Sequence, residues 1–467
     1  MSTNTQTYDI KIDSLGAQGD GVGTLPDGRR AFVSGTLAGE TVRARVQDEK
    51  PDGVFCAVVE VLEPAANRMA APCPHYDRCG GCAIQHMDDA SYSNFKMDAV
   101  RRALDQHGLE PETMDGPFIS APGTRRRATM AMYRSGQRVL IGFNERRSRS
   151  IVDLQTCLVL KPRLVALVPA LRALGLTLLE SGHGMDITMM SGDGDAVDLV
   201  FRPWKKTQNK HAQKNRQARN RKEPKLKQKQ IDGPSLAILE ALYDFANEHD
   251  IARIRWQDGF DKPDDLTPVA DRAPFTVTLG GHMVRPSPGA FLQATEDGQA
   301  ALTEVVLSGV GDARNIVDLY AGCGTFALAL LRDKRHVTAV EGWRPAIDAL
   351  SRAASELGGV LDTAHRDLVD DPLNAKELKD FDAVVIDPPR VGAKDQMREI
   401  ANANVRTVVS VSCNPATFAR DGAILKDAGF KLTHLRVVDQ FLWSTHVELV
   451  GVFVNQNYVT PPRLNRG

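Results

Sequence analysis

Short apolar runs that alternate with polar residues open the chain. DIKIDSLGAQGDGVGTL reads as one strand and its turns, AFVSGTLAGETVRARV as a pair, and VFCAVVEVLEP as a fifth. Period-two alternation, cut by glycines at even spacing, predicts a small β-barrel over residues 1–65. SYSNFKMDAVRRALDQHG (91–108) then reads as a helix closed by Gly108. Between about 125 and 202, ATMAMYR, RVLIGFN, DITMMS and AVDLVFR alternate again, which predicts an antiparallel sheet interrupted by one helix near 162–174. SLAILEALYDFANEH (235–249) restores a helical pattern, and short strands lead to about 283.

From about 285 the rhythm changes. NIVDLYAGCGTFALALL, HVTAVEGWRPAIDALSRAASELG, FDAVVIDPPR, RTVVSVSCNPATFARDGAILKDAG and HVELVGVFV recur as strand, loop and helix. This is the pattern of a doubly wound α/β sheet with a late hairpin. The expected organisation is a barrel (1–65), a central α+β domain (66–283) carrying a cysteine cluster, and a Rossmann-like C-terminal domain (284–467). Ligands of such sheets lie beyond the carboxyl ends of the strands, where DLYAG, VEG, IDPP and VSCNP all fall.

A length of 467 residues with 42% apolar content agrees with two or three domains. The formal net charge of -1 hides local excesses. Lys205 to Lys229 is crowded with Lys and Arg against the single acid Glu223, and TRRRA (124–128) and NERRSR (144–149) add basic clusters. Phosphates respond to that local field, so a polyanionic partner is not excluded. The stretch 203–230, poor in large apolar residues, is expected to be a mobile or disordered basic loop; a solvated insertion and an RNA-contacting tail fit it equally. No apolar run of about 18 residues and no leader pattern is visible, so neither membrane spanning nor secretion is expected and the cytoplasm is the expected location. A monomer without an obligate protein partner is the default.

Asp318-Leu-Tyr-Ala-Gly-Cys-Gly324 follows a strand, and Gly322 and Gly324 permit close backbone approach to a ligand. Glu341, ending the next strand, is placed to accept ribose hydroxyls. GxGxxG spacing is missing. With an initial acid and DPPR two strands on, the ordered set favours S-adenosylmethionine over a dinucleotide. Asp367 is placed near an adenine, or is a surface acid. Cys413, in VSCNP, lies beyond a strand and before a helix, where a structural thiol and a nucleophile are both consistent. A thiolate has a purpose there: adding to carbon 6 of uracil makes carbon 5 an enolate carbon able to attack a sulfonium methyl group. A base must then remove the carbon-5 proton. Glu448 in STHVELV is the first candidate, His446 the second, and an outward strand acid the alternative for Glu448. Asp387 heads DPPR, in which Arg390 stands where amine methyltransferases carry an aromatic.

These motifs together resemble the RNA 5-methyluridine (uracil-C5) methyltransferase family over most of the chain. The barrel is similar to the family's TRAM domain, through AFVSGTLAGETVRARV. The nucleophile motif SCNPxTxxRD is present as Ser412 to Asp421, and the resemblance implies Cys413 as nucleophile and, through THVE, Glu448 as base. It also implies cofactor contacts at Gln293, Tyr320, Glu341 and Asp387, with Phe291 near the substrate. Thr295 and Thr325 stand where members usually have Asn, and Gln440-Phe441-Leu442-Trp443 replaces a common Met-Phe-Pro.

Cys73-x5-Cys79-x2-Cys82 with the distant Cys157 supplies four soft ligands. Their spacing leaves zinc and an iron–sulfur cluster open. Resemblance to the ribosomal branch of the family implies a [4Fe-4S] cluster; its expected duty is to staple the central RNA-binding domain, aligning Arg125, Arg126 and Arg127 with phosphates. The implied partner is structured RNA with a loop or flipped uridine, since attack at carbon 6 is blocked inside a stacked duplex. Ribosomal 23S RNA is the expected substrate. Transfer RNA, an inactive RNA-binding or assembly factor, and DNA cytosine methylation are the rivals.

Overall fold

The computed structural model describes residues 6–204, 233–258, 266–332, 335–357 and 360–459. Apart from its first two residues, the expected basic loop at 203–230 lies outside them. The chain forms two compact units, residues 1–126, 156–161 and 276–467 in one, and 127–155 with 162–275 in the other.

In the first unit the strands Thr7–Leu15, Gly21–Thr24, Arg30–Ser34, Gly53–Glu63 and Thr41–Lys50 pair in that order and close a barrel. Alternate residues Ile10, Ile12, Ala31, Val33, Val42, Ala44 and Val54 point inward and form its core, as the period-two pattern predicts. The same unit holds an eight-stranded sheet. Its order is Leu361–His365, His336–Glu341, Asn315–Leu319, Ala383–Ile386, Thr407–Ser412, Glu448–Asn455, Phe430–Asp439 and Thr113–Ile119. The first five run parallel, and the hairpin formed by Phe430–Asp439 and Glu448–Asn455 supplies the antiparallel step.

Residues 66–126 belong with this sheet rather than with a separate central domain. Thr113–Ile119 pairs parallel with Phe430–Asp439. Helix Asp89–Asp105, capped by the Asp88 carboxylate accepting from Ser91 N–H at 2.7 Å, sends Met97, Val100 and Leu104 into the same core as Val408, Phe418 and Phe453. Long-range burial, which local periodicity does not report, makes this assignment.

The second unit is a six-stranded sheet in the order Leu266–Asp271, Arg253–Gln257, Val197–Pro203, Gly184–Ser191, Arg127–Ser135, Arg138–Gly142. It is antiparallel except where Val197–Pro203 runs parallel to Arg253–Gln257. The expected helix near 162–174 is two, Pro162–Ala166 and Val168–Leu178. Ser235 caps the helix Leu236–Glu248.

Candidate active site

Strand register assembles the site. Ser412 pairs with Leu449 and Val438 with Glu448, so Cys413, Glu448 and the Asp439–Gln440 corner gather at one end of three neighbouring strands. Ile386 pairs with Ser410, which brings Asp387 to the same end.

Cys413 immediately precedes the N-cap of helix Pro415–Asp427. The cap is Asn414, whose Oδ1 accepts from Ala416 N–H at 3.2 Å and whose Nδ2 donates to the Arg390 carbonyl at 3.1 Å. The rest of the SCNPATFARD motif holds the DPPRVG turn against Cys413. Thr417 Oγ1 donates to the Arg390 carbonyl at 3.3 Å, Arg420 to that of Val391 at 3.0 Å, and Asp421 accepts from Ala393 N–H at 2.8 Å. Gly392, at φ 77°, is required there, since a Cβ would stand 2.3 Å from the Arg420 guanidinium.

Behind the thiol runs a chain of amides and carboxyls. Gln293 Nε2 donates to Asp387 Oδ2 at 3.2 Å, and Gln293 Oε1 accepts from Gln440 Nε2 at 2.5 Å. Gln440 Oε1 accepts from Ala294 N–H at 2.8 Å, and its side chain also hydrogen-bonds Glu448. Burial pushes Asp387 up to about 7, against the Gln293 hydrogen bond. Burial, then the Asp387 charge, pushes Glu448 up to about 8, and Gln440 opposes the shift. Cys413 is held up at about 11 by burial and by Glu448 and Asp387, while Arg390 and a backbone hydrogen bond pull the other way. His446 lies nearby, its imidazole held below the usual range by partial burial and the cations of Arg390, Lys96 and Arg125.

The candidate cofactor residues form an adjoining acidic rim. Tyr320 turns through a left-handed φ of 61°, and Gly322 N–H donates to Glu341 Oε2 at 2.9 Å. Trp343 N–H donates to Glu341 Oε1 at 2.6 Å. Gly324, at φ 99°, packs where a Cβ would meet Leu350 at 2.4 Å. Residues 322–330 wind through turns rather than opening the regular helix expected from sequence, and bonds such as Leu328 N–H to Gly324 O at 3.1 Å hold them. Burial, with Asp367, Asp421 and Glu341 nearby, raises Tyr320 to about 12. Asp367 itself is exposed, with one oxygen accepting from Val369 N–H at 2.9 Å. Asp318 is fully buried, and among the described residues neither carboxyl oxygen completes a hydrogen bond although the Ala327 N–H faces it. A buried carboxyl of this kind beside an open loop suits the ammonium end of an amino-acid-bearing nucleoside such as S-adenosylmethionine.

One expectation changes in detail. Arg126 is buried, donating to the Gln293 carbonyl at 3.0 Å and to Gln299 at 2.7 Å, so it braces the amide chain instead of meeting phosphates. Arg125 stacks over Phe441 at 5.5 Å and lies within electrostatic reach of Cys157 and Cys82. Thr295, in place of Asn, caps helix Glu296–Gly309 by accepting from Gly298 N–H at 3.1 Å. Arg127 starts the first strand of the other unit, and Phe291 is 62% exposed. Gln440 was legible only as a departure from the family pattern.

None of the seven cysteines, all among the described residues, is in a disulfide. Cys82 is raised to about 12 by burial and by Cys157, Cys79 and Cys73, so the four thiols share one electrostatic neighbourhood. Gly81 N–H donates to Cys79 Sγ at 3.4 Å, and the Val159 and Leu160 N–H groups favour the Cys157 thiolate. Among the described residues no three such donors are preset as a metal-binding group. Ala83 and Ile84, just after Cys82, donate their N–H groups to the Trp443 carbonyl at 2.7 and 3.1 Å.

Comparison with known proteins agrees with this geometry. The model of the tRNA (Uracil-5-)-methyltransferase family matches residues 366–457, and that of the TRAM domain matches 2–55. An uncharacterized RNA methyltransferase of Caulobacter vibrioides is 39% identical, over 95% of this chain and 99% of its own length. A 23S rRNA (uracil(1939)-C(5))-methyltransferase of Pseudomonas putida is 31% identical, over 95% and 93%. The chain belongs to the RNA uracil-5-methyltransferase family.

The methyltransferase shares its fold with the Pyrococcus abyssi tRNA (uracil-54, C5)-methyltransferase solved with S-adenosyl-L-homocysteine. The TM-score is 0.70 at 22% identity, over 96% of this chain and 99% of that one. As a member of its family, the methyltransferase is an enzyme acting on uracil carbon 5 in RNA. No helix among the described residues is long and apolar enough to cross a membrane.

Proposed function

We propose that the protein methylates carbon 5 of one uridine in 23S ribosomal RNA, through a covalent bond between Cys413 and carbon 6. The observation that carries the mechanism is the setting of Cys413 beside Glu448 and Asp387, with Arg390 as the opposing charge. Bound S-adenosylmethionine supplies an electrophilic sulfonium methyl group, and Gln293, Asp318, Tyr320, Gly322, Glu341, Asp367 and Asp387 are the residues to hold it.

Burial and the two carboxyls hold the Cys413 thiol up at about 11, and Arg390 with the backbone at the start of helix Pro415–Asp427 opposes that shift, so only a minor fraction is thiolate, the form that attacks. The sulfur adds to carbon 6, and the ring π electrons become available at carbon 5, which takes the methyl group. Glu448 then removes the carbon-5 proton, the double bond re-forms, and Cys413 leaves as thiolate. A carboxyl raised to about 8 is a stronger base than an ordinary one and is still ionised in part near neutrality. Phe291 offers an exposed ring for a flipped base.

The four cysteines hold a [4Fe-4S] cluster in this reading. Support comes from four soft donors in one electrostatic neighbourhood, with N–H groups directed at two of the sulfurs. The enzyme works as a cytoplasmic monomer. Ribosomal RNA is favoured by the 31% identical Pseudomonas relative, which matches 95% of this chain. Mapping 5-methyluridine in RNA from cells with and without the protein tests the assignment. Loss of one site in 23S RNA is expected; loss only in transfer RNA moves the substrate, and no loss in either refutes the reading.

A further inference from the structure

The loop from Gln440 to Val447 joins the last two strands and leads directly into Glu448. Besides the Ala83 and Ile84 N–H groups on the Trp443 carbonyl, it is supported by an ion pair set apart from Cys413 and Glu448. Asp439, fully buried, accepts from Lys96 Nζ at 3.0 Å, from Phe441 N–H at 3.0 Å and from the Tyr92 hydroxyl. Lys96, equally buried, also donates to the His446 carbonyl at 2.5 Å. The Tyr92 hydroxyl in turn accepts from Trp443 N–H at 2.7 Å. One carboxylate and one ammonium therefore grip the loop at residue 441, where it starts, and at residue 446, two residues before the base.

Both charges sit on rigid elements. Lys96 and Tyr92 are one turn apart on helix Asp89–Asp105, and Asp439 ends a strand anchored through its carbonyl to Ser120 N–H at 2.9 Å. A buried ion pair is seldom a gain in stability over apolar residues of similar volume. Its distinct property is direction: each hydrogen bond favours a restricted range of angles, whereas a methyl group in the same space imposes none. The setting is passed on through Gln440, which begins the loop and hydrogen-bonds Glu448.

We propose that Lys96 and Asp439 are positioning residues for proton removal: they fix loop 440–447 so that Glu448 meets the carbon-5 proton, and resolution of the Cys413 adduct depends on them more than methyl transfer does. This rests on the covalent reading above. The test compares full-length wild type and K96M by following methyl incorporation, free RNA product and denaturant-resistant protein–RNA adduct in the same time course. K96M is expected to keep the KM for RNA and for S-adenosylmethionine, to incorporate methyl in a first turnover, and to resolve the adduct about 10- to 100-fold more slowly. Where K96M does not fold, K96M/D439N removes both charges and is expected to behave in the same way. Folded variants that resolve the adduct at the wild-type rate, or that lose both steps in equal proportion, overturn the proposal. A wild-type enzyme that yields no adduct even with 5-fluorouridine RNA removes the covalent reading itself, which is a different failure.

Discussion

Gln293 reaches Asp387 across 94 residues of sequence with a hydrogen bond, Nε2 to Oδ2 at 3.2 Å, and among the described residues it is the contact that opposes the upward shift of that carboxyl. The same amide accepts from Gln440, so two acids of the site share one support. Replacing Gln293 with Ala removes both links. The expected result is a fall in kcat/KM of about 10- to 100-fold, the cost of losing a hydrogen bond to a charged group. It comes with an acidic limb of the pH–rate profile moved to higher pH, and initial methylation rates between pH 6 and 9 check it.

Glu448 must be ionised to take a proton. With its carboxyl raised to about 8, adduct resolution is expected to rise with pH and level off above that value. E448Q is expected to form the adduct and retain it. Stability runs the other way. A carboxyl raised in the folded state stabilises the fold below its unfolded value, and that contribution is lost as pH rises through about 8. E448Q is therefore expected to be more stable than wild type at pH 8, by on the order of 1–3 kcal/mol, and to lose that advantage near pH 4.5. Urea unfolding at the two pH values measures this.

The cysteine segment predicts a colour. Protein purified without oxygen should be brown and carry iron and sulfide, and stoichiometric zinc in colourless protein would reverse the assignment. Because Ala83 and Ile84 hold the Trp443 carbonyl, stripping the metal should also slow turnover while leaving S-adenosylmethionine binding intact. Calorimetric titration of the stripped protein reads the second part.

Deleting residues 205–229 removes a dense set of cations against one acid. RNA affinity should fall, and the slope of log affinity against log salt should shrink by roughly 0.7–0.9 for each phosphate that is no longer neutralised. Filter binding at several salt concentrations decides it, and an unchanged slope makes the segment a bystander.

Local pattern carried much of this structure and stopped where side chains meet across the fold. The barrel and the strand–loop–helix repeat were legible because period-two and helical spacings lie within single elements. Cys413 and Glu448 stood out as candidates because each sits in its own compact motif, and strand register brings them to one end of the sheet. Arg126 was misread because a run of arginines looks alike whether it faces phosphate or is enclosed beside the Gln293 carbonyl. Gln440 meets Gln293 across 147 residues, and no local spacing encodes that contact. Lys96 left a faint sign, a lysine on the apolar stripe with Tyr92 and Val100, but its partner Asp439 lies 343 residues away. Thr113–Ile119 joined the parallel sheet for the same reason, through pairing with a distant strand.

The bond between Cys413 and the pyrimidine is the claim on which the chemistry stands. Substrate RNA carrying 5-fluorouridine presents no removable proton at carbon 5, so the enzyme should stall with the nucleotide attached. Peptide mapping by mass spectrometry is expected to find it on Cys413, and nowhere in C413A. Normal methylation of native RNA with no attachment at Cys413 would contradict the account.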